Sequence, residues 1–92
     1  ATAYFCILEA LQNVAKYARA SCVKVALSCP DGHLEFTVTD DGDGFDTAMP
    51  TPGTGLQGMA DRLAAVGGTL AIRSAPGLGT TISGRLPAGE PA

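Results

Sequence analysis

The chain has 92 residues, with nine acidic and six basic side chains, a formal net charge of −3 and 46% hydrophobic residues. This composition is too apolar for disorder, and no apolar run is long enough for a membrane span, so we expect one compact domain over residues 1–92 that makes no membrane contact. The acidic balance disfavours nucleic acid as a partner, and three cysteines without a CxxC pair favour reduced thiols in a cytosolic domain.

A helix is predicted at the start of the chain. Apolar residues recur at spacings of three and four from Thr2 to about Ala18, and Glu9, Asn13 and Lys16 share a different face. A solvated charged face is one explanation of that polar stripe. A carboxylate, an amide and an ammonium group on one face also suit a hydrated Mg²⁺ with phosphates, and we favour this explanation for the one asparagine in the chain.

Two strands follow the helix. Residues 23–29 alternate between apolar and polar and predict a half-buried strand, and residues 34–40 alternate again after a Pro-Asp-Gly turn. Counting on by two from Phe36 and Val38 places Asp40 on the apolar face. Because a carboxylate buried without a partner is costly, the fold alone does not explain Asp40.

The second half of the chain predicts one more helix and two more strands. Glycines and prolines over residues 41–55 exclude a long regular element, and residues 56–66 have the helical apolar spacing that a glycine pair then ends. Residues 70–73 and 80–86 alternate like strands, with a glycine-rich turn between them. Their alternation places Thr80 on the core side, as it does Asp40.

The element order predicts an α+β two-layer sandwich. Adjacent strands joined by short turns form hairpins, so we expect a mainly antiparallel, mixed sheet with both helices on one face. In that arrangement Asp40 and Thr80 face the stripe of Glu9, Asn13 and Lys16 across a pocket.

Two loops have patterns that suggest ligands. Residues 53–58 carry the letters of a dinucleotide fingerprint, but prolines precede them instead of a buried strand. A glycine turn that leads into a helix exposes N–H groups that suit a phosphate, and a plain helix-capping turn explains the same residues equally well. The four carboxylates over residues 40–46 lack the ligand spacing of a calcium loop, and solvated turn residues are the simpler explanation for Asp43 and Asp46.

Three segments, in this order, resemble the ATP-binding catalytic domain of sensor histidine kinases, which has the Bergerat (GHKL ATPase) fold shared with gyrase and the mismatch-repair ATPases. Residues 9–18 look like the N box, residues 38–45 like the first glycine box and residues 53–59 like the second. The tail over residues 67–81 also follows the family. The style of the boxes is similar to the nitrate-sensor subfamily, which usually has histidine where this chain has Tyr17.

The resemblance implies a role for each matching residue. Asp40 would accept a hydrogen bond from the adenine amino group, and Thr80 would support it. Glu9, Asn13 and Lys16 would form the catalytic set, in which Asn13 holds Mg²⁺, Glu9 orients water at or near the metal, and Lys16 meets the phosphates. The nucleotide-binding residues implied are Asn13, Lys16, Tyr17, Asp40, Gly42, Gly44, Gly53, Thr54, Gly55, Leu56 and Thr80.

The implied activity is transfer of the ATP γ-phosphoryl group to a histidine in the cytoplasm. That histidine would lie on an upstream dimerisation domain, outside this chain, and a response regulator would be a further partner. The whole protein could still be membrane-anchored. An anti-sigma-factor-type serine kinase, which shares the fold and the boxes, is one alternative, and a nucleotide-binding module without transfer activity is another.

Overall fold

The computed structural model describes residues 2–48 and 55–88, with the side chains of residues 17 and 18 excepted. Its elements alternate between one helix and one hairpin, and this order confirms the predicted one. They are α1 (Thr2–Asn13), a π-helical turn (Val14–Ala18), β1 (Val23–Ser28), a 3₁₀ turn (Pro30–Gly32), β2 (His33–Asp40), α2 (Leu56–Ala65), β3 (Thr69–Ser74) and β4 (Thr80–Pro87).

The first helix covers the predicted span but changes its winding near the end. After Asn13 the chain widens into the π-helical turn and stops at Arg19, which has left-handed backbone angles of φ 49° and ψ 44°. Glu9 and Asn13 are therefore one α-helical turn apart, whereas Lys16 lies where that spacing no longer holds. Within the described ranges, neither helix is long and apolar enough to cross a membrane.

The four strands form one antiparallel sheet in the order β1-β2-β4-β3. Both predicted hairpins are present, and β2 and β4 pair in the middle of the sheet. This central pairing sets Asp40 directly opposite Thr80 and Phe36 opposite Gly84. It therefore brings together two polar side chains that the sequence places at separate strand ends.

Both helices cover one face of the sheet, as predicted. The α1 helix packs on β2 and β4, and α2 packs on β3 and β4. The fully buried side chains of α1 are small, which lets the helix lie close to the sheet. The core between the layers consists of Ala3, Cys6, Ala10, Phe36, Val38, Met59, Leu63, Ile82 and Leu86.

The first strand differs from its prediction of half burial, because all of its residues are exposed. Val23, Val25 and Leu27 keep 40%, 45% and 60% of their surface in solvent. Their register opposite Asp40, Val38 and Phe36 shows that they do point to the helix side, as the alternation predicts. The prediction fails because the helices pack over the other three strands, so these side chains extend beyond the covered part of the sheet.

Candidate functional site

The end of β2 holds the one buried charged side chain in the described part of the chain. Asp40 is 8% exposed, and its Oδ1 accepts a hydrogen bond of 2.8 Å from the amide of Gly42. Thr80 lies across from it on β4, and on the same face because opposite residues of paired strands point the same way. The burial predicted from the strand alternation is therefore confirmed for Asp40.

A cavity of about 470 Å³ opens beside this pair, which is within the usual range of ligand pockets. Its wall is formed by residues from the ends of β2, β3 and β4, from the β3–β4 loop and from the loop after β2. The lining residues are Thr39, Asp40, Thr47, Ile72, Arg73, Ser74, Ala75, Leu78, Gly79, Thr80 and Thr81. None of them belongs to α1, so the cavity lies at the end of the sheet and not along the polar stripe of the helix.

Ser74, at the end of β3, joins the residues around the cavity and was missed by the sequence interpretation. Its Oγ lies 2.8 Å from the Thr80 hydroxyl, and it accepts a hydrogen bond of 2.9 Å from the Phe45 amide. It also donates to the Gly79 carbonyl oxygen at 2.9 Å. The signal was available, because counting by two along β3 from Ile72 places Ser74 on the same face as Asp40 and Thr80.

The loop after β2 and the loop before β4 pack tightly against each other through two glycines. Gly44 and Gly79 have φ values of 64° and 74°, a region that glycine enters without strain. A Cβ atom on Gly44 would overlap the Ala75 carbonyl oxygen, and one on Gly79 would overlap the carbonyl oxygen of Asp40. These contacts give Gly44 a packing function in addition to the nucleotide contact that the resemblance implies.

The acidic loop after Asp40 is tied to the segment that follows α1. Asp41 Oδ1 accepts hydrogen bonds of 2.8 Å and 3.0 Å from the amides of Ser21 and Cys22. The Cys22 amide is the main reason that the pKa of the Asp41 carboxyl lies below its usual value. Asp43 forms an exposed ion pair of 2.8 Å with Arg19, so it is not simply a solvated turn residue.

The predicted polar stripe of α1 reaches the start of α2. Glu9 is half-buried, and a Cβ on Gly55 would lie only 2.6 Å from its Oε2. A carboxylate is favourable there, because the exposed amides of a helix start carry partial positive charge. Asn13 is half-buried at the end of α1, and Lys16 is exposed in the π-helical turn.

The remaining predicted site residues have mixed outcomes. Gly42 is buried beside Asp40, and Leu56 is half-buried as the first residue of α2. Gly53 and Thr54 lie outside the described residues, and so does the side chain of Tyr17. The structure therefore presents two groups of candidate residues, one around Asp40 at the sheet end and one around Glu9 at the helix junction.

The sequence pattern of one protein family, described as histidine kinase-, DNA gyrase B-, and HSP90-like ATPase, matches residues 2–90. The chain is 39% identical over 82 residues to the signal transduction histidine-protein kinase/phosphatase DegS of Brevibacillus brevis. It is 37% identical over 75 residues to the signal transduction histidine-protein kinase/phosphatase UhpB of Salmonella typhimurium. These alignments cover 88% and 82% of this chain, but only 21% and 15% of the two relatives.

Among solved structures, the histidine kinase domain of the Erythrobacter litoralis EL346 blue-light activated histidine kinase has a similar fold. Its TM-score is 0.76 at 22% sequence identity, and the match covers 95% of this chain and 43% of that one. At that sequence identity the likeness shows a shared fold and nothing more.

The chain spans about a fifth or less of the length of the two curated relatives described above.

Proposed function

We propose a function from one premise: the chain belongs to the histidine kinase-, DNA gyrase B- and HSP90-like ATPase family. The matched domain is the catalytic, ATP-binding part of such kinases. It binds ATP with Mg²⁺ and supplies the γ-phosphoryl group to a histidine on a separate dimerisation domain of a two-component sensor kinase. The relatives named as histidine-protein kinases favour a histidine acceptor over the serine acceptor of an anti-sigma-factor-type kinase.

The buried carboxylate of Asp40 is the observation that carries this proposal. An ionised carboxylate can only accept hydrogen bonds, and one oxygen of Asp40 already takes the Gly42 amide. The exocyclic amino group of adenine is a donor that matches the remaining acceptor capacity. A burial of this kind, beside a cavity of ligand size, is expected where a ligand donor completes the hydrogen bonding.

The start of α2 and the end of α1 supply the groups that suit the phosphates. The first intrahelical hydrogen bond of α2 runs from the Met59 amide to the Gly55 carbonyl oxygen. The amides before Met59, in the first turn, therefore have no acceptor within the helix. Such amides, together with the helix dipole, favour an anion. The exposed ammonium group of Lys16 adds a positive charge near the end of α1.

The donor set on α1 fits Mg²⁺. Glu9 and Asn13 offer a carboxylate and an amide oxygen one helical turn apart, and Mg²⁺ is usually held by one or two such oxygens with phosphates and water. No group of three or more His, Cys, Asp or Glu residues in the described part of the chain forms a metal cage, so phosphate and water would complete the set. The bound ion would neutralise charge on the phosphate oxygens.

The transfer breaks the bond between the γ-phosphorus and the bridging oxygen of ADP, and it forms a bond from that phosphorus to a ring nitrogen of the acceptor histidine. This chain contributes binding and charge stabilisation, since phosphoryl transfer depends mostly on positioning. A response regulator would then take the phosphoryl group from the histidine. Because ATP is the donor, the domain would work in the cytoplasm.

Calorimetric titration of the chain with ATP, in Mg²⁺ and separately in a chelator, tests the proposal. We expect binding in Mg²⁺, and we expect Asn13→Ala to weaken it about tenfold or more through loss of a metal ligand, a larger factor than the one by which it weakens binding in chelator. Gln12→Ala is the matched control, since Gln12 is an exposed amide on the same helix. Absence of ATP binding by the wild type would contradict the proposed function, and equal loss with and without metal would remove Asn13 from the metal site.

A further inference from the structure

The hydroxyl of Ser74, in the wall of the cavity, takes part in three hydrogen bonds. Its Oγ lies 2.9 Å from the Phe45 amide nitrogen, 2.9 Å from the Gly79 carbonyl oxygen and 2.8 Å from Thr80 Oγ1. A serine hydroxyl has one hydrogen to donate and two lone pairs with which to accept. These three neighbours therefore use its whole hydrogen-bonding capacity.

The chemistry of the neighbours fixes the direction of each bond. The Phe45 amide can only donate and the Gly79 carbonyl can only accept, so the hydrogen of Ser74 points at Gly79. The third contact then needs the hydrogen of Thr80, which donates to Ser74. The reverse arrangement would leave two oxygen atoms facing each other at 2.9 Å without a hydrogen, and it would deprive the carbonyl of the buried Gly79 of this donor, which is costly.

The direction of the Thr80 hydroxyl determines what the cavity wall offers to a ligand. Because its hydrogen is committed to Ser74, Thr80 presents only lone pairs to the cavity. Asp40 lies directly opposite on β2 and is also an acceptor, with Gly42 as its donor at 2.8 Å. The polar pair at this end of the sheet therefore accepts hydrogen bonds and donates none.

We propose that Ser74 is a positioning residue that sets the base preference of this site, by holding the Thr80 hydroxyl as an acceptor so that the site takes a 6-amino purine and rejects a 6-oxo purine. This proposal rests on the proposed binding of ATP. A 6-oxo purine would place its carbonyl oxygen against two acceptors. Without Ser74, the Thr80 hydroxyl is free to rotate and donate to that carbonyl.

The test measures dissociation constants for ATP and for inosine triphosphate, which carries a carbonyl oxygen in place of the adenine amino group. The wild type should prefer ATP, and Ser74→Ala should lower that preference about three- to tenfold, the effect of about one hydrogen bond. Ser74→Thr keeps a hydroxyl and should keep the preference. Ser83→Ala is the matched control, because Ser83 is a half-buried serine of β4 that lines a different cavity. Equal weakening of both nucleotides by Ser74→Ala, with an unchanged ratio, would show that Ser74 is only structural and would overturn the proposal.

A second variant keeps the proposal testable if Ser74→Ala does not fold. Thr80→Val removes the hydroxyl while Ser74 keeps its bonds to Phe45 and Gly79, and it should lower the ATP preference by a similar factor. An unchanged preference in Thr80→Val would also overturn the proposal. A wild-type chain that binds no ATP contradicts the proposed function itself, whereas a wild type that binds ATP, with variants of unchanged preference, contradicts the role of Ser74 alone.

Discussion

Asp40 combines burial, a fixed backbone donor and an opposite hydroxyl, so its charge should matter most for a ligand that donates to it. We expect Asp40→Asn to weaken ATP binding by about 1.5–3 kcal/mol, the usual contribution of a hydrogen bond to a charged group. Calorimetry or competition binding would measure this loss. The proposed contact to adenine also requires that binding of inorganic triphosphate, which lacks a base, changes little.

The control for Asp40 lies in the loop that follows it. Asp46 is exposed, and its carboxylate accepts a hydrogen bond of 2.9 Å from the Ala48 amide. Asp46→Asn should leave ATP affinity unchanged, because the amide oxygen can keep that local bond. If Asp40→Asn bound ATP as tightly as the wild type, Asp40 would have no place in the nucleotide site.

Two glycines should respond in opposite ways to the same substitution. A Cβ on Gly84 would overlap the ring of Phe36, so Gly84→Ala should lower the free energy of unfolding by about 1–3 kcal/mol through overpacking. Gly58 lies exposed inside α2, and nothing lies within 4 Å of a Cβ placed there. Gly58→Ala should therefore raise the free energy of unfolding by about 0.5–1 kcal/mol. Urea denaturation of both variants checks the two signs. A Gly84→Ala variant as stable as the wild type would contradict the packing described for Phe36, and a destabilised Gly58→Ala variant would contradict the prediction for α2.

At the scale of elements, Asp41 connects the acidic loop to the residues before β1. Folding lowers its pKa, chiefly through the Cys22 amide, so this carboxylate stabilises the fold at pH values above the ordinary aspartate pKa of about 3.9. That stabilisation is lost as the pH falls through the lowered pKa. Asp41→Asn should thus be less stable than the wild type at neutral pH and should lose less stability on acidification to about pH 3.

Urea midpoints across this pH range measure the difference. Asp31→Asn is a suitable control, because Asp31 is an exposed aspartate in the turn before β2 and asparagine tolerates its left-handed backbone. If the stability of Asp41→Asn and of the wild type fell in parallel with pH, the negative charge of Asp41 would add nothing to the hydrogen bonds that it accepts from Ser21 and Cys22.

Most elements of this fold could be predicted from periodicity, because each one carries its own pattern. The apolar spacing predicts the second helix over residues 56–66, and the structure has it over Leu56–Ala65. Periodicity does not predict the π-helical turn, because the apolar residues keep the spacing of an ordinary α-helix through that turn.

The position of Asp40 could be predicted because it depends on the alternation within one strand. The hydrogen bonds of Ser74 could not, because they join three separate segments that no single pattern contains. The roles of Glu9, Asn13 and Lys16 toward metal and phosphate stay predictions, as does the single-domain extent over residues 1–92.

At the scale of the whole molecule, strand order decides which alternating strand is buried. Alternation predicts that β1 has an apolar face, but only the order β1-β2-β4-β3 places that face beyond the helices. Both edge strands have the same length, and α2 packs on β3, whereas no comparable helix packing protects β1 within the described residues. The edge strands β1 and β3 can therefore be compared directly, because they differ mainly in whether a helix packs on them.

We expect the hydrogen-bonded amides of β1 to exchange at least about tenfold faster than those of β3, because local opening is easiest where few apolar contacts must be broken. Native-state hydrogen exchange, followed strand by strand, measures this. The amides that join β2 and β4 should be the slowest, since both strands lie inside the sheet and carry core residues. Equal protection in β1 and β3 would mean that helix coverage does not set local stability here.

The pairing of β2 with β4 also links ligand binding to folding kinetics. Each hairpin can close over a short loop, but Asp40 meets Thr80 only after the two halves of the chain have docked, which carries the larger loop-closure cost. A chain with both hairpins formed but not joined would lack the wall at which we propose that adenine binds. Nucleotide added during refolding would therefore leave the rate of hairpin formation unchanged. It would bind only after the two hairpins have docked, and it would then slow unfolding.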